Sequence, residues 1–268
     1  MRLWLIALSN LAALLVAACG RPASSVSTAI PIPREIIDLG ALVTEDLPER
    51  VWGKTFMEQM GFRENNTLEV IDWAVEFPDG TVSGSNSYYR LFNHGGPHVD
   101  APNHMDLGAG IDSFPLEAFA GPLKVLDVSG FPLGRSVPIE LLQSHGINAG
   151  DVVLIYTGYA PPTTDDVPHR VALTREAANY LATLPVRAFG TDAFNVDSDD
   201  NATPVESDLA VERVGPNHYA FLSRGIPIYE QLFNVDQLLE KDKMYFVGVP
   251  LNIEDGDGMM VRPVVLVY

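Results

Sequence analysis

A mixed α/β domain built around a β core is the fold class this sequence predicts, and three observations lead there. Apolar, β-rich stretches of strand length recur along the chain and outnumber the helical ones. The helical segments between them are short and irregularly placed, which argues against a regular βαβ array. The chain has 268 residues, 47% of them hydrophobic, enough for one sizeable core.

The N-terminus reads as a processing segment. Arg2 is a short basic region, Leu3 to Ala18 is mostly apolar, and Val16-Ala17-Ala18 precede Cys19, the single cysteine. "LVAAC" resembles a bacterial lipoprotein signal, in which the cysteine is lipidated and becomes the first mature residue. Residues 1–18 are then a signal peptide, and the protein is exported and tethered by acyl chains to the cell envelope. Residues 19–34, small and proline-rich ("GRPASSVSTAIPIPR" after Cys19), predict a flexible tether reaching about 20 Å. From residue 35 to 268 no second linker or repeat interrupts the chain, so one domain is expected there. Beyond the N-terminus no apolar run reaches 18 residues, which excludes a polytopic membrane protein.

Charge narrows the partners. The formal net charge is −18, and losing residues 1–18 removes one Arg and no acid, giving −19. So acidic a surface repels nucleic acid and anionic headgroups, leaving the lipid anchor as the route to a membrane. With no second cysteine the fold holds without internal disulfides.

Strands are expected in "LEVIDWAVEF", "SNSYYRLF", "LKVLDV", "DVVLIYTG", "RAFGTD", "KMYFVGVPL" and "RPVVLVY". Three helices are expected between them. "PIELLQSHG" runs from Pro138 to a stop at Gly146. "TREAANYLATL" starts at a Thr174 cap with Ala178, Leu181 and Ala182 on one face, and "GPNHYAFLSRG" is bounded by Pro216 and Gly225.

The chemistry concentrates in "FNHGGPHVDAPNHM", Phe92 to Met105, which holds three of the six histidines. His98 and Asp100 alternate, so in extended backbone they point to one side, about 6.5–7 Å apart at Cα. Pro97 and Pro102 disfavour helix at the residues before them. Gly95 and Gly96 let the chain fold back so that His94 completes a three-ligand set, with His104 close by. A lone loop histidine is usually only hydrogen-bonded. Three with an aspartate at this spacing point to a divalent metal, Zn²⁺ or Mn²⁺, with room left for water.

"HGGPHVDAPNH" resembles the H-x-G-T-H-x-D-x-P-x-H motif of the metal-dependent cyclase family, which includes kynurenine formamidases (arylformamidases) and isatin hydrolases. His94, Gly96, His98, Asp100, Pro102 and His104 match in place, and Pro97 stands where the family has Thr. The resemblance extends over "IIDLGALVTEDLPERVWG", "GPNHYAFLSRGIPIYEQLFNVDQL" and "GVPLNIEDGDGMMVRPVVLV". It implies the family's swivelling β/β/α fold, usually as a homo-oligomer. It also implies a first metal on His94, His98 and Asp100, and a second, where present, on Asp100, His218 and Glu230. His104 would be the catalytic acid/base. The implied reaction is hydrolysis of an aryl formamide or cyclic amide by metal-activated water. Lactone hydrolysis or dehydrating cyclisation is the alternative within the family, and a non-catalytic metal- or solute-binding lipoprotein the alternative outside it.

Other signals carry less. "DSDDNATPVESD" from Asp197 lacks the glycine and terminal glutamate of a calcium loop and reads as a solvated acidic loop. "GDG" at 256–258 reads as a turn before the last strand, and His145 and His169 as surface residues. No G-x-S-x-G elbow supports a serine nucleophile. Trp52, Trp73, Tyr88 and Phe92 are candidates for the core or for stacking on an aromatic substrate, Trp52 first because it follows the acidic loop.

Overall fold

Short strands, buried almost throughout in the middle of the main sheet, organise the domain rather than long helices. The computed structural model describes residues 30–59, 61–62, 65–160, 170–197 and 214–268. Cys19, the signal and most of the tether lie outside the described residues. The chain divides into two units, 1–32 and 33–268, and every element below belongs to the second. In order they are β1 (Glu35–Asp38), α1 (Leu47–Trp52), α2 (Lys54–Gln59), β2 (Thr67–Phe77), β3 (Gly80–Arg90), β4 (His98–Asp100), β5 (Ala120–Asp127), β6 (Ser136–Val137), α3 (Ile139–Ser144), β7 (Val152–Tyr156), β8 (Ala172–Leu173), α4 (Arg175–Thr183), β9 (Ala188–Thr191), α5 (Pro216–Leu222), β10 (Ile228–Glu230), β11 (Met244–Val247), β12 (Gly258–Met260) and β13 (Val264–Val267).

Nine of these strands form one sheet in the order β1-β13-β11-β5-β7-β9-β10-β4-β12. The mixed α/β class expected from the sequence holds, and one detail differs. The four middle strands β5, β7, β9 and β10 are parallel neighbours, and each connection between them carries a helix, α3, α4 or α5. A run of βαβ units therefore lies inside the sheet, with antiparallel strands on either side. The helices escape periodicity because they have only six to nine residues.

The three expected helices form as read. Thr174 Oγ1 accepts from the Ala177 amide at 3.0 Å, a cap contributing about 1 kcal/mol, and Ala178, Leu181 and Ala182 are buried. That face joins one apolar cluster with Phe189, Phe221 and Ile228. On the other side of the sheet Val99, Tyr229, Phe246 and Val265 build a second cluster.

β2 and β3 stand outside this sheet as a two-stranded ribbon in register from Thr67↔Arg90 to Phe77↔Gly80. Apart from Gly84, every residue in them is exposed. Trp73 and Tyr88 lie here, 42% and 66% exposed, so neither belongs to the core. Apolar strand patterns normally mean burial; among the described residues no layer covers this ribbon.

Candidate metal centre

Register brings the distant residues together. β4 lies between β10 and β12, with His98 opposite both Glu230 and Met260, and Asp100 opposite Ile228 and Gly258. Alternation sends Val99 and Tyr229, partners across the same ladder, into the second apolar cluster. It turns His98, Asp100 and Glu230 to the opposite face. The expected extended backbone at His98–Asp100 is what forms. Pro97 costs the strand nothing, since it enters at the start and its carbonyl accepts from the Val261 amide at 2.8 Å. Gly258 permits the close approach of β12, because a Cβ there would meet Val99 O at 2.7 Å and the His94 ring at 2.8 Å.

Asp100 is at the centre and fully buried. Its Oδ1 lies 2.9 Å from His94 Nδ1 and 3.1 Å from His98 Nε2; its Oδ2 lies 3.7 Å from His218 Nε2. Glu230 approaches from β10, with Oε1 3.4 Å from His218 Nε2 and Oε2 3.7 Å from His98 Nε2. Despite these short distances neither Asp100 oxygen receives a hydrogen bond of acceptable geometry. The nitrogens and oxygens converge on shared points instead of aligning on one another.

The outer nitrogen of each histidine explains the convergence. His98 Nδ1 is 2.8 Å from the Gly96 carbonyl, His94 Nε2 is 2.9 Å from Asp257 Oδ2, and His218 Nδ1 is 2.6 Å from Asp197 Oδ2. With the ring proton on that outer nitrogen, each imidazole turns its inner nitrogen towards Asp100 and Glu230, the arrangement by which second partners orient metal-ligating imidazoles. Donor chemistry and the orphaned carboxylate thus fit a divalent cation held by nitrogen and oxygen. Two triads are compact enough to share an ion, His94–Asp100–His104 and His98–Asp100–Glu230.

Electrostatics show what the cluster does with protons. Burial pulls the His94 imidazole down, but the carboxylates of Asp100 and Asp257 outweigh it and raise its pKa to about 9. Burial raises Glu230 to about 8 despite the charge of His218. For His218, burial is overcome by Asp100 and Asp197, leaving it well above its usual value. Only His98 is driven down, by burial against the pull of Asp100. The buried carboxylates favour positive charge on the groups beside them.

His104 occupies a 3-10 turn over Pro102–Met105. Its ring is 4.3 Å from the His94 ring and 5.4 Å from that of His218. Its side chain is 30% exposed, against 8% or less for the other three histidines, so it is the imidazole that faces outward. Its Nδ1 lies 3.9 Å from Asp257 Oδ2, too far for a hydrogen bond but close enough for charge. The imidazoles of His104 and His94 hold Asp257 below the usual carboxylate range.

The structure thus gathers His94, His98, Asp100, His104, His218 and Glu230. Trp52 is placed differently from a stacking platform. It is buried among Phe56, Phe62, Phe92 and Phe194, and its indole N–H donates to the His94 carbonyl at 2.9 Å. Gln231, on the far side, donates to the same carbonyl at 3.0 Å. Trp52 therefore fixes the turn that aims His94, and its ring faces are already taken.

Two site residues were missed in the sequence. Asp197 opens the acidic stretch read as solvated, yet it is buried and also accepts from the Asn217 amide at 2.7 Å. Asp257 lies in the predicted turn, and Asn93 Nδ2 donates to its other oxygen at 2.8 Å. Each neighbours other acids or glycines, so spacing alone did not separate it from them.

The family model described as "Putative cyclase" matches residues 37–198. The kynurenine formamidase of Salinibacter ruber is 34% identical over 195 residues, 72% of this chain and 84% of that protein. A Bacillus cereus kynurenine formamidase is 28% identical over 199 residues, 73% of this chain and 85% of that one. Among solved structures, isatin hydrolase A from Labrenzia aggregata, bound to benzyl benzoate, aligns with a TM-score of 0.66 at 26% identity. That alignment covers 87% of this chain and 93% of the other. An isatin hydrolase bound to the product analogue thioisatinate aligns at 0.67 and 22% identity, over 87% and 92%, a likeness of fold.

Proposed function

The chain belongs to the cyclase family, and on that premise we propose that it is a metal-dependent hydrolase of an aryl formamide or a cyclic amide. The observation that carries the reading is Asp100, a buried carboxylate without a hydrogen bond among imidazoles whose outer nitrogens are already engaged. Burying a carboxylate costs several kcal/mol unless a charge compensates it, and a divalent cation is the compensation this donor set suits. The names of the relatives support an amide carbonyl as the group attacked.

His94, His98 and Asp100 would hold a first ion; Asp100, His218 and Glu230 would hold a second. A divalent ion supplies Lewis-acid polarisation of a carbonyl and acidifies water near neutral pH. The chain's own contribution is to place and move protons. His104 is the outward-facing imidazole beside the ligands, positioned to give a proton to the departing nitrogen. Such transfer is worth about 10²–10⁴-fold. Asp257 stands 2.9 Å from His94 Nε2 and 3.9 Å from His104 Nδ1, and favours the charged form of His94. An amide nitrogen leaves poorly as an anion, and an aryl or strained cyclic amide lowers that barrier.

Zn²⁺- or Mn²⁺-loaded protein assayed against N-formylkynurenine, isatin and simple lactones tests the reading. Turnover of an aryl formamide or cyclic amide, abolished by a chelator and restored by metal, is expected. Turnover of lactones alone would favour the lactonase alternative, and metal binding with no turnover would leave a binding lipoprotein. Location is proposed on "LVAAC" alone: an exported protein anchored through Cys19. Cys19→Ser should release it from membranes or leave its signal uncleaved; a cleaved, fully membrane-bound variant would sink the anchor.

A further inference from the structure

The parallel strands lead to a cleft. β7 ends at Tyr156, while Asp192 follows the end of β9 and Gln231 the end of β10. All three line one cavity of about 180 Å³, and none of the six residues gathered at the metal centre lines it. Open α/β sheets bind ligands outside the carboxyl ends of their parallel strands. Two groups of this wall keep acceptor capacity. Among the described residues Asp192 Oδ2 accepts one hydrogen bond, from the Tyr159 amide at 3.1 Å, and a carboxylate oxygen takes about two. Gln231 is buried; its Nε2 donates to the His94 carbonyl at 3.0 Å and its Oε1 has no donor. Its φ of 60° lies in the left-handed region, which residues bearing a Cβ enter rarely and often at ligand sites.

We propose that this cleft binds a small primary alkylammonium ion at a site of its own, apart from the metal centre. The ammonium donates to Asp192 Oδ2 and Gln231 Oε1, charge-assisted bonds to two acceptors otherwise short of donors. Tyr156, Tyr159 and Phe233 supply aromatic rings, which attract a cation. The field has the required sign: burial, then the carboxylates of Asp192, Asp236 and Asp127, push the Tyr156 phenol above its usual value. Among the described residues that line the cavity there is no Lys or Arg. Val51 and Leu232 complete an apolar wall for the alkyl stem. The volume equals about six waters, which suits a stem of about four carbons.

Other occupants fit worse. A calcium ion takes about six to eight oxygens at roughly 2.3–2.6 Å. Among the described residues the carboxylates here belong to neither of the two clusters compact enough to share an ion. An anion is repelled by the same field. A neutral alcohol brings one donor to two acceptors and leaves the charge of Asp192 uncompensated.

The test is calorimetry of the full chain in detergent, titrated with n-butylammonium chloride near neutral pH. The amine is charged there, as a lysine of pKa about 10.4 is. One saturable site per chain is expected, with equal affinity in metal-loaded and chelated protein, so the result does not depend on the proposed reaction. Asp192→Asn should weaken binding by about tenfold or more, and the exposed Asp236→Asn by about threefold. Glu117→Gln, which does not line the cleft, should change nothing. No saturable heat, equal binding of 1-butanol, or unchanged affinity in Asp192→Asn would overturn the proposal. So would binding lost on chelation, which puts the amine on the metal. Butylammonium that raises KM for an amide at constant kcat would make the cleft part of the substrate's pocket and remove the separate site. Asp192 also holds the turn at Thr157 and Tyr159, and should its variant not fold, wild type decides. The side-chain amide resonance of Gln231 must then shift in step with the heat, and an unmoved resonance rejects the site.

Discussion

The strand β4 and the β2–β3 ribbon invert the ordinary partition of side chains in opposite directions. β4 has three residues, all buried, and two of them are ionisable. The ribbon has two strands of eleven residues, nearly all exposed, and large apolar side chains stand on both of its faces. Charged groups are almost never fully buried unless paired, and large exposed apolar patches are rare on monomers. Inside, the buried carboxylates suit a cation; outside, the ribbon leaves large apolar side chains exposed among the described residues. The two regions differ in what holds them. β4 is gripped on both sides by β10 and β12, so its ligand geometry stands before any ion arrives, whereas among the described residues each ribbon strand pairs with the other alone.

The comparison can be broken first at His104. If the buried cluster separates groups that hold an ion from one that moves protons, His104→Ala keeps its metal and loses about 10²–10⁴-fold in turnover. Loss of metal together with activity would make His104 a ligand. Next in size is Glu230→Gln, which keeps the volume and removes the charge. Metal content should fall from about two ions per chain to about one, with activity strongly reduced. One ion in both proteins, with equal turnover, would leave a mononuclear enzyme.

The smallest effect sharpens the contrast through pH. His94 is raised to about 9 and Glu230 to about 8, so the metal-free native state holds protons that the unfolded chain has released. Stability of the chelated protein should therefore fall as pH rises from about 6.5 towards 9. Bound metal replaces those protons and flattens the slope. The ribbon contains no histidine and should contribute nothing to that slope. Equal melting curves across that pH range, with and without chelator, would mean the cluster does not exchange protons for a cation.

What was legible follows from range. Alternation of His98 and Asp100, the glycine turn, the Thr174 cap and the helix start at Pro216 are local, so spacing alone located them. That His218 and Glu230 belong with Asp100 came from family resemblance, since no local pattern distinguishes a helix-start histidine or a strand glutamate. Asp197 and Asp257 were passed over because their value lies in the imidazole each one faces, set by a contact across the fold. The ribbon was read correctly as strand, and of the two alternatives left open for Trp73 and Tyr88 the core is excluded by their exposure, because a side-chain pattern reports periodicity and says nothing of whether a layer exists to cover it.

The position of β10 carries a consequence for time. It lies between β9 and β4 and brings Glu230 beside His98, more than a hundred residues earlier in the chain. Contacts of such separation close slowly, and the loop entropy is spent before they contribute. The ligand set is therefore completed near the end of folding, after the parallel strands have assembled. An ion taken up at that stage should leave the refolding rate almost unchanged and slow unfolding instead. The metal would act as a latch on a finished fold, lengthening its lifetime without hastening its birth.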